Sequence, residues 1–133
     1  MTTVLFACVQ NAGRSQMAAA YFNQVADPTR ARAISAGTKP ADRVHPEVVG
    51  AMEAEGIDLA GATPQRLTPD LAAQAQVLVT MGCGDECPYV AGARVEDWPL
   101  DDPHGKGTDV VLRIRDEIKV RVRALVQREG WAR

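Results

Sequence analysis

The sequence predicts an α/β fold: a single three-layer domain over residues 1–133, with a four-stranded parallel sheet flanked by helices. Short apolar runs typical of buried strands alternate along the chain with longer segments in which apolar residues recur at helical spacing. Such strand–helix–strand units form parallel sheets whose faces are covered by helices. No repeat or linker divides the chain, and 133 residues are enough to bury one hydrophobic core.

Three elements are predicted in the first part of the chain. Val4–Ala7 is wholly apolar, which is typical of a strand buried on both faces of a parallel sheet. Residues 14–25 are predicted to form a helix, because their apolar side chains fall on one side. Residues 31–36 are predicted to form a second strand that ends at Gly37. The apolar side of the helix comprises Met17, Ala18, Tyr21, Phe22 and Val25.

Two helices are predicted in the middle of the chain. Pro46 suits the first position of a helix that ends near Gly56. Residues 68–70, Thr-Pro-Asp, are typical of the capped start of a short helix, which should extend to Gln74. The longer of the two helices would direct inward Val48, Val49 and Met52.

Two strands and a long helix are predicted in the last part of the chain. Residues 77–80 are rich in β-branched side chains and precede Gly82. Residues 95–98 are predicted as the fourth strand, and residues 108–128 as the last helix. Apolar residues recur along this helix at helical spacing, namely Val111, Ile114, Ile118, Val122 and Leu125.

Reactive side chains follow three of the four predicted strands. Cys8 and Arg14 come after the first strand, Cys83 and Cys87 after the third, and Asp102 after the fourth. In sheets of this kind, ligands bind beyond the carboxyl ends of the strands. We therefore expect these segments to share one edge of the sheet.

Charge and composition argue against several classes of function. The formal net charge is −2, so the chain lacks the basic surface expected of a protein that binds nucleic acid or an anionic membrane. The N-terminus lacks the features of a signal peptide, and no apolar stretch approaches the ~20 residues of a membrane span. An odd number of cysteines, three, argues against a secreted disulfide framework. We therefore expect a cytoplasmic protein whose cysteines take part in chemistry or in metal binding.

Residues 8–15 match the motif Cys-x5-Arg-Ser, placed between a predicted strand and a predicted helix. A loop wound around an oxyanion points its backbone N–H groups inward, and the following helix adds the positive end of its dipole. The guanidinium of Arg14 can bind two oxygens of the anion at once. The residues expected to hold the anion are Val9, Gln10, Asn11, Ala12, Gly13, Arg14 and Ser15.

Cys8 is the candidate nucleophile of this loop. The same positive field favours its thiolate, which is the reactive form of cysteine. Ser15 could donate a hydrogen bond to the sulfur, and Asn11 could brace the loop with its amide. The alternative is that Cys8 is an inert buried cysteine at the end of a strand and that Arg14 is a surface residue.

With these motifs, the chain resembles the low-molecular-weight protein tyrosine phosphatase superfamily, and within it the arsenate reductases that use the same fold. The resemblance covers nearly the whole chain. It rests on the Cys-x5-Arg-Ser loop, Ser35-Ala36-Gly37, the strand 77–80, the Asp102-Pro103 pair and the final helix. It implies the low-molecular-weight phosphatase fold and an oxyanion as ligand.

The resemblance assigns a general acid to the segment after the fourth strand. In the family, an aspartate directly before a proline protonates the leaving oxygen, and this position corresponds to Asp102, followed by Pro103. Asp101 is the competing assignment. The alternative to both is that the two aspartates are solvated loop carboxylates.

The resemblance also assigns roles to Cys83 and Cys87. Reduction of arsenate to arsenite takes two electrons, which thiols supply by forming a disulfide. After arsenic has bound to Cys8, Cys83 would attack the Cys8 sulfur, arsenite would leave, and Cys87 would complete the final disulfide. Alternatively, the two cysteines are inert, or they form half of a zinc site with His45 or His104.

The chain departs from the family pattern at several positions. Only three residues separate Cys83 from Cys87, fewer than is usual in thioredoxin-coupled arsenate reductases, so the order of attack stays open. Gly13 stands where many relatives have a further cysteine. Ala19 stands where some have a glutamate that binds potassium, so no potassium site is expected. His104 follows the Asp-Pro pair, where the phosphatases have aromatic residues that flank phosphotyrosine.

Three functions are compatible with the sequence. The first is arsenate reductase, regenerated by thioredoxin or a low-molecular-weight thiol. The second is a phosphatase for phosphotyrosine or small phosphate esters, an activity that could also accompany the reductase weakly. The third is a non-catalytic sensor that binds arsenite or a metal through three thiols. We favour the first, and expect an arsenate or phosphate-like oxyanion as ligand, no cofactor, no metal and a monomer.

Overall fold

The computed structural model describes residues 1–82 and 92–133, so the predicted relay residues Cys83 and Cys87 lie outside the described residues. In chain order, its elements are β1 (Thr2–Cys8), α1 (Arg14–Val25), β2 (Ala31–Gly37), α2 (Pro46–Glu53), α3 (Pro69–Ala72), β3 (Val77–Thr80), β4 (Arg94–Asp97) and α4 (Thr108–Arg128).

The four strands form one parallel sheet in the order β2–β1–β3–β4. The predicted fold class is therefore confirmed. The register brings the strand ends level: Cys8 pairs with Gly37, Ala7 with Thr80, and Thr80 with Asp97. The segments that leave β1, β2, β3 and β4 consequently start from one edge of the sheet.

Apolar side chains of β1 point alternately into two cores, one on each face of the sheet. Val4 and Phe6 join the larger core, and Leu5 and Ala7 join the smaller one. Helices α1, α2 and α4 cover the larger core, whereas α3 covers the smaller. Burial on both faces explains why β1 is apolar from Val4 to Cys8. The residues predicted for the apolar side of α4 are all buried.

Several predicted boundaries are wrong by one to three residues, and β1 begins two residues before and ends one residue after the predicted Val4–Ala7. Strand β4 begins and ends one residue earlier than predicted, because it lies at the sheet edge, where apolar character does not mark the strand. Val95 within it is 48% exposed, whereas Trp98, just beyond it, is buried against Phe6. Helix α2 ends at Glu53 rather than near Gly56, and α3 ends two residues before Gln74.

In the described ranges, no helix combines the length and the apolar character that crossing a membrane demands.

Candidate active site

The loop 8–15 connects the end of β1 to the start of α1 and lies almost wholly in the protein interior. Cys8, Arg14 and Ser15 are 2%, 5% and 0% exposed. The first turn of α1 has no acidic residue, and among the described residues no side chain caps its N-terminus. The positive end of the helix dipole is therefore left for whatever the loop binds.

The segment that follows β2 holds the loop from outside. Its backbone N–H groups donate to the carbonyl groups of the loop: Thr38 to Cys8 (3.2 Å), Lys39 to Val9 (2.8 Å), Ala41 to Gln10 (2.9 Å) and His45 to Ala12 (3.0 Å). These bonds turn the carbonyl groups outward.

In contrast, the backbone N–H groups of residues 9–15 donate to no backbone or side-chain atom of residues 1–82 and 92–133. Buried N–H groups are nearly always paired in folded proteins. Consecutive unpaired N–H groups at a helix N-terminus are suited to binding a tetrahedral oxyanion.

A chain of hydrogen bonds leads to the sulfur of Cys8. Ser15 Oγ lies 2.9 Å from Cys8 Sγ, and Asn11 Nδ2 donates to the same Ser15 oxygen at 2.7 Å. Because Asn11 already donates to Ser15, the hydroxyl hydrogen of Ser15 is free to point at the sulfur. A hydrogen bond in that direction stabilises a negatively charged sulfur.

Asn11 also fixes the shape of the loop. Its φ angle of 50° lies in the left-handed region, which asparagine tolerates better than most residues. Its side-chain oxygen accepts hydrogen bonds from the backbone N–H of Gln65 (2.9 Å) and from Gln16 Nε2 (3.2 Å). Its backbone oxygen accepts from Gln16 Nε2 as well, at 3.1 Å.

Gly37, the last residue of β2, lets the loop approach the sheet. A Cβ atom at this position would lie 2.6 Å from the Val9 oxygen and 2.9 Å from the Asn11 nitrogen. Both are backbone atoms of the loop, so they could not move without changing its shape. Glycine is therefore required here for close contact and not for a turn.

Replacing Gly37 with alanine is expected to lower the free energy of unfolding by about 1–3 kcal/mol through overpacking, and to weaken phosphate binding. Gly50→Ala in α2 is the matched control, because nothing lies within 4 Å of an added Cβ there. That substitution should stabilise the helix by about 0.5–1 kcal/mol. Chemical denaturation and phosphate titration of both variants check this. Equal effects of the two substitutions would contradict the assigned packing.

Arg14 is held beside the loop by residues that follow β3 and β4. Its Nη1 donates to the Leu100 carbonyl at 3.0 Å, and its Nη2 lies 3.8 Å from Asp102 Oδ2. A Cβ atom added to Gly82 would overlap with Arg14 Nη1. The described parts of the segments after β1, β3 and β4 thus meet at Arg14, as the strand order leads one to expect.

The Asp102-Pro103 pair lies over the loop. The backbone N–H of His104 donates to Asp102 Oδ1 at 2.9 Å, and the Asp102 side chain is 47% exposed. Pro103 is buried, and its ring would lie 3.2 Å from a Cβ added to Gly13. In the described parts of the chain, Asp102 forms an ion pair with Arg14, whereas none is recorded for Asp101.

The two histidines of the chain stack on each other next to this loop. The ring centroids of His45 and His104 are 4.3 Å apart. His45 directly precedes α2 and is 8% exposed. Burial lowers its pKa below the usual value for histidine, and the neighbouring His104 lowers it further, while Glu47 and Asp102 oppose the shift. These surroundings favour the neutral form of His45.

The structure brings together Cys8, Asn11, Arg14, Ser15 and Asp102, all predicted from sequence as site residues. Four further groups shape the site and are not among the predicted site residues: Gly37, Gly82, Gln65 and the Leu100 carbonyl. The sequence signals for the two glycines are their positions at or near a strand end and, for Gly37, the Ser35-Ala36-Gly37 motif of the resemblance. The arrangement places a cysteine sulfur in a loop whose N–H groups lack acceptors among the described residues, with the carboxyl group of Asp102 beside Arg14.

Comparison with known proteins identifies a family. Residues 3–130 match the family described as low molecular weight phosphotyrosine protein phosphatase. The glutaredoxin arsenate reductase of Synechocystis sp. is 34% identical over 95% of this chain and 97% of its own length.

Solved structures of proteins named as arsenate reductases are also similar to this chain. A thioredoxin-dependent arsenate reductase of Corynebacterium glutamicum superposes with a TM-score of 0.82 at 38% identity over 96% of this chain, which spans only 61% of that longer chain. An arsenate reductase in the phosphate binding state superposes with a TM-score of 0.83 at 31% identity, covering 96% of this chain and 98% of the other.

Proposed function

The chain belongs to the low molecular weight phosphotyrosine protein phosphatase family, and from that premise we propose that it reduces arsenate to arsenite through a cysteine relay starting at Cys8. The main support is the contact between Cys8 Sγ and Ser15 Oγ, at the base of a loop whose N–H groups have no acceptor among the described residues. Relatives named as arsenate reductases support arsenate as the substrate.

In the first step, the Cys8 thiolate attacks arsenic and an oxygen of arsenate leaves as water. The N–H groups of residues 9–15 and the guanidinium of Arg14 bind the remaining oxygens. Asp102 supplies a proton to the departing oxygen. Its position near Arg14 at the mouth of the loop supports this role.

In the second step, Cys83 attacks the Cys8 sulfur. The new S–S bond replaces the S–As bond, and the electron pair of the broken bond stays with arsenic, which leaves as arsenite. Cys87 then attacks Cys83, which frees Cys8 and completes the Cys83–Cys87 disulfide. Both cysteines lie outside the described residues, but Gly82, the residue before Cys83, lies against Arg14.

The final disulfide has to be returned to thiols by an external reductant. Thioredoxin is our first choice, because a structural neighbour at 38% identity is named as thioredoxin-dependent. A low-molecular-weight thiol system is the alternative, since one relative is named a glutaredoxin enzyme. The need for reduction favours the cytoplasm as the location. We further propose that residues 1–133 act as one domain and as a monomer.

A second candidate function is phosphate-ester hydrolysis. The same loop, nucleophile and acid suffice for it, and the family description names a phosphatase. The residue after the Asp-Pro pair is exposed His104, and only 5% of the chain is aromatic, so the site offers little to an aryl phosphate. We expect ester hydrolysis as a weak side activity.

A single turnover without external reductant tests the proposal. Fully reduced protein is mixed with excess arsenate, and arsenite and free thiols are measured. We expect one arsenite released and two thiols lost per chain, followed by repeated turnover when thioredoxin and its reductase, or glutathione with glutaredoxin, is added. Hydrolysis of p-nitrophenyl phosphate with no arsenite formed would instead establish the phosphatase alternative.

A further inference from the structure

A group of side chains that could bind a metal ion lies beside the loop 8–15 (the oxyanion loop). His45, Glu47 and His104 each offer one ligand atom, and these atoms all lie within 4.8 Å of one another. His45 precedes α2, Glu47 lies in the first turn of α2, and His104 follows the Asp102-Pro103 pair. None of the three has a role in the proposed arsenate chemistry.

The chemistry of these side chains suits a divalent transition metal. Two imidazole nitrogens and one carboxylate oxygen form a common ligand set for Zn²⁺ and for similar ions, with solvent completing the coordination.

The geometry requires only a local adjustment. Bonds of about 2.0–2.1 Å to a tetrahedral zinc place ligand atoms roughly 3.4 Å apart, so the cluster needs to contract by at most about 1.4 Å. His45 is fixed in the interior, but Glu47 and His104 reach solvent and can rotate about their side-chain bonds. Rotation of the His104 side chain would break its stacking on His45 and let both imidazole rings bind the same metal ion.

The surrounding space can accommodate a hydrated ion. The cluster lines an open cavity of about 470 Å³, which Gln10 and Asp42 also line. The side-chain oxygen of Gln10 is buried and has no hydrogen-bond partner among the described residues. A metal-bound water would supply a donor for that oxygen.

We propose that His45, Glu47 and His104 bind a divalent transition-metal ion of the zinc class, which joins the segment 102–104 to the start of α2. The site requires no cysteine. His104 donates its backbone N–H to Asp102, and His45 donates its backbone N–H to Ala12 of the oxyanion loop. A metal bound here therefore fixes the position of Asp102 relative to the oxyanion loop.

Titration with Co²⁺ tests the proposal, because the absorption of cobalt distinguishes thiolate ligands from nitrogen and oxygen ligands. The chain with Cys8→Ser, Cys83→Ser and Cys87→Ser is used first, so that no thiol competes. We expect one Co²⁺ per chain and a rise in Tm with Zn²⁺. His104→Ala and Glu47→Gln should each weaken binding at least roughly tenfold. Asp42→Asn, which changes a carboxylate of the same cavity outside the cluster, should change binding less than about twofold.

The chain with its cysteines intact is titrated in parallel, which guards against misfolding of the substituted one. In this chain we expect a Co²⁺ site whose spectrum lacks thiolate absorption. Its affinity for Co²⁺ should fall by the same factor when His104 is replaced by alanine. No such binding in either chain, or equal affinity with and without His104, overturns the proposal. Neither outcome depends on arsenate turnover, so the proposed function is tested separately.

Discussion

Replacing Cys8 with serine is expected to abolish arsenate reduction and phosphate-ester hydrolysis together. Both reactions begin with attack by the Cys8 sulfur, and a serine hydroxyl in the same place is a far weaker nucleophile at neutral pH. Removal of a nucleophile that acts with its neighbours typically costs on the order of 10⁴-fold or more in kcat. Arsenite release and p-nitrophenyl phosphate hydrolysis measure the two activities.

Binding of the anion is the control for this variant. The N–H groups of residues 9–15 and the guanidinium of Arg14 are unchanged, so phosphate should still bind, with its Kd within roughly threefold. Measuring Tm shows whether the fold survives. A well-folded Cys8→Ser protein that still released arsenite at the original rate would show that another residue attacks arsenic.

Replacing Cys83 with serine is expected to separate the two activities. Ester hydrolysis requires one thiolate, an acid and water, so it should stay within about threefold of the original rate. Arsenate reduction should fall at least roughly 100-fold, because no thiol is then in place to attack the Cys8–arsenic adduct and accept the electrons as a disulfide. Parallel assays of both reactions on one preparation check this difference.

Cys87→Ser is the matched variant for Cys83→Ser. If Cys83 attacks first, the Cys87→Ser protein should release one arsenite per chain in a burst and then stop. The reverse result, a burst with Cys83→Ser and none with Cys87→Ser, would exchange the two roles. Because only three residues separate the cysteines, this order cannot be decided from spacing.

The core of the fold is predictable from sequence because burial on both faces leaves a strong pattern. Strands β1 and β3 are apolar except for threonines at their ends, and each is fully or almost fully buried. Strand β4 is less predictable, since its burial pattern is mostly exposed and an edge strand needs no apolar run. The predicted strand is therefore displaced by one residue toward Trp98. Trp98 is buried for a different reason, namely its packing on Phe6.

The candidate site likewise has a part that is predictable from sequence and a part that is not. The Cys-x5-Arg-Ser loop is contiguous, so its shape follows from a local motif. The contacts of Gly37 with the loop, and of Gly82 with Arg14, join segments distant in sequence. The stacking of His45 on His104 is also long-range, and each alone resembles an ordinary residue at a helix start or in a surface loop. Such contacts become visible only when the strand order brings the segments together.

Carboxymethylation of Cys8 at pH 6 tests the central claim most directly, because an ordinary cysteine is almost wholly protonated and unreactive at that pH. Iodoacetate is the reagent, and mass mapping assigns the modified residue. We predict that Cys8 reacts much faster than free cysteine and that saturating phosphate or arsenate protects it, since the anion occupies the loop 8–15. Reaction no faster than free cysteine, or reaction that phosphate does not slow, would contradict a thiolate held within an oxyanion site.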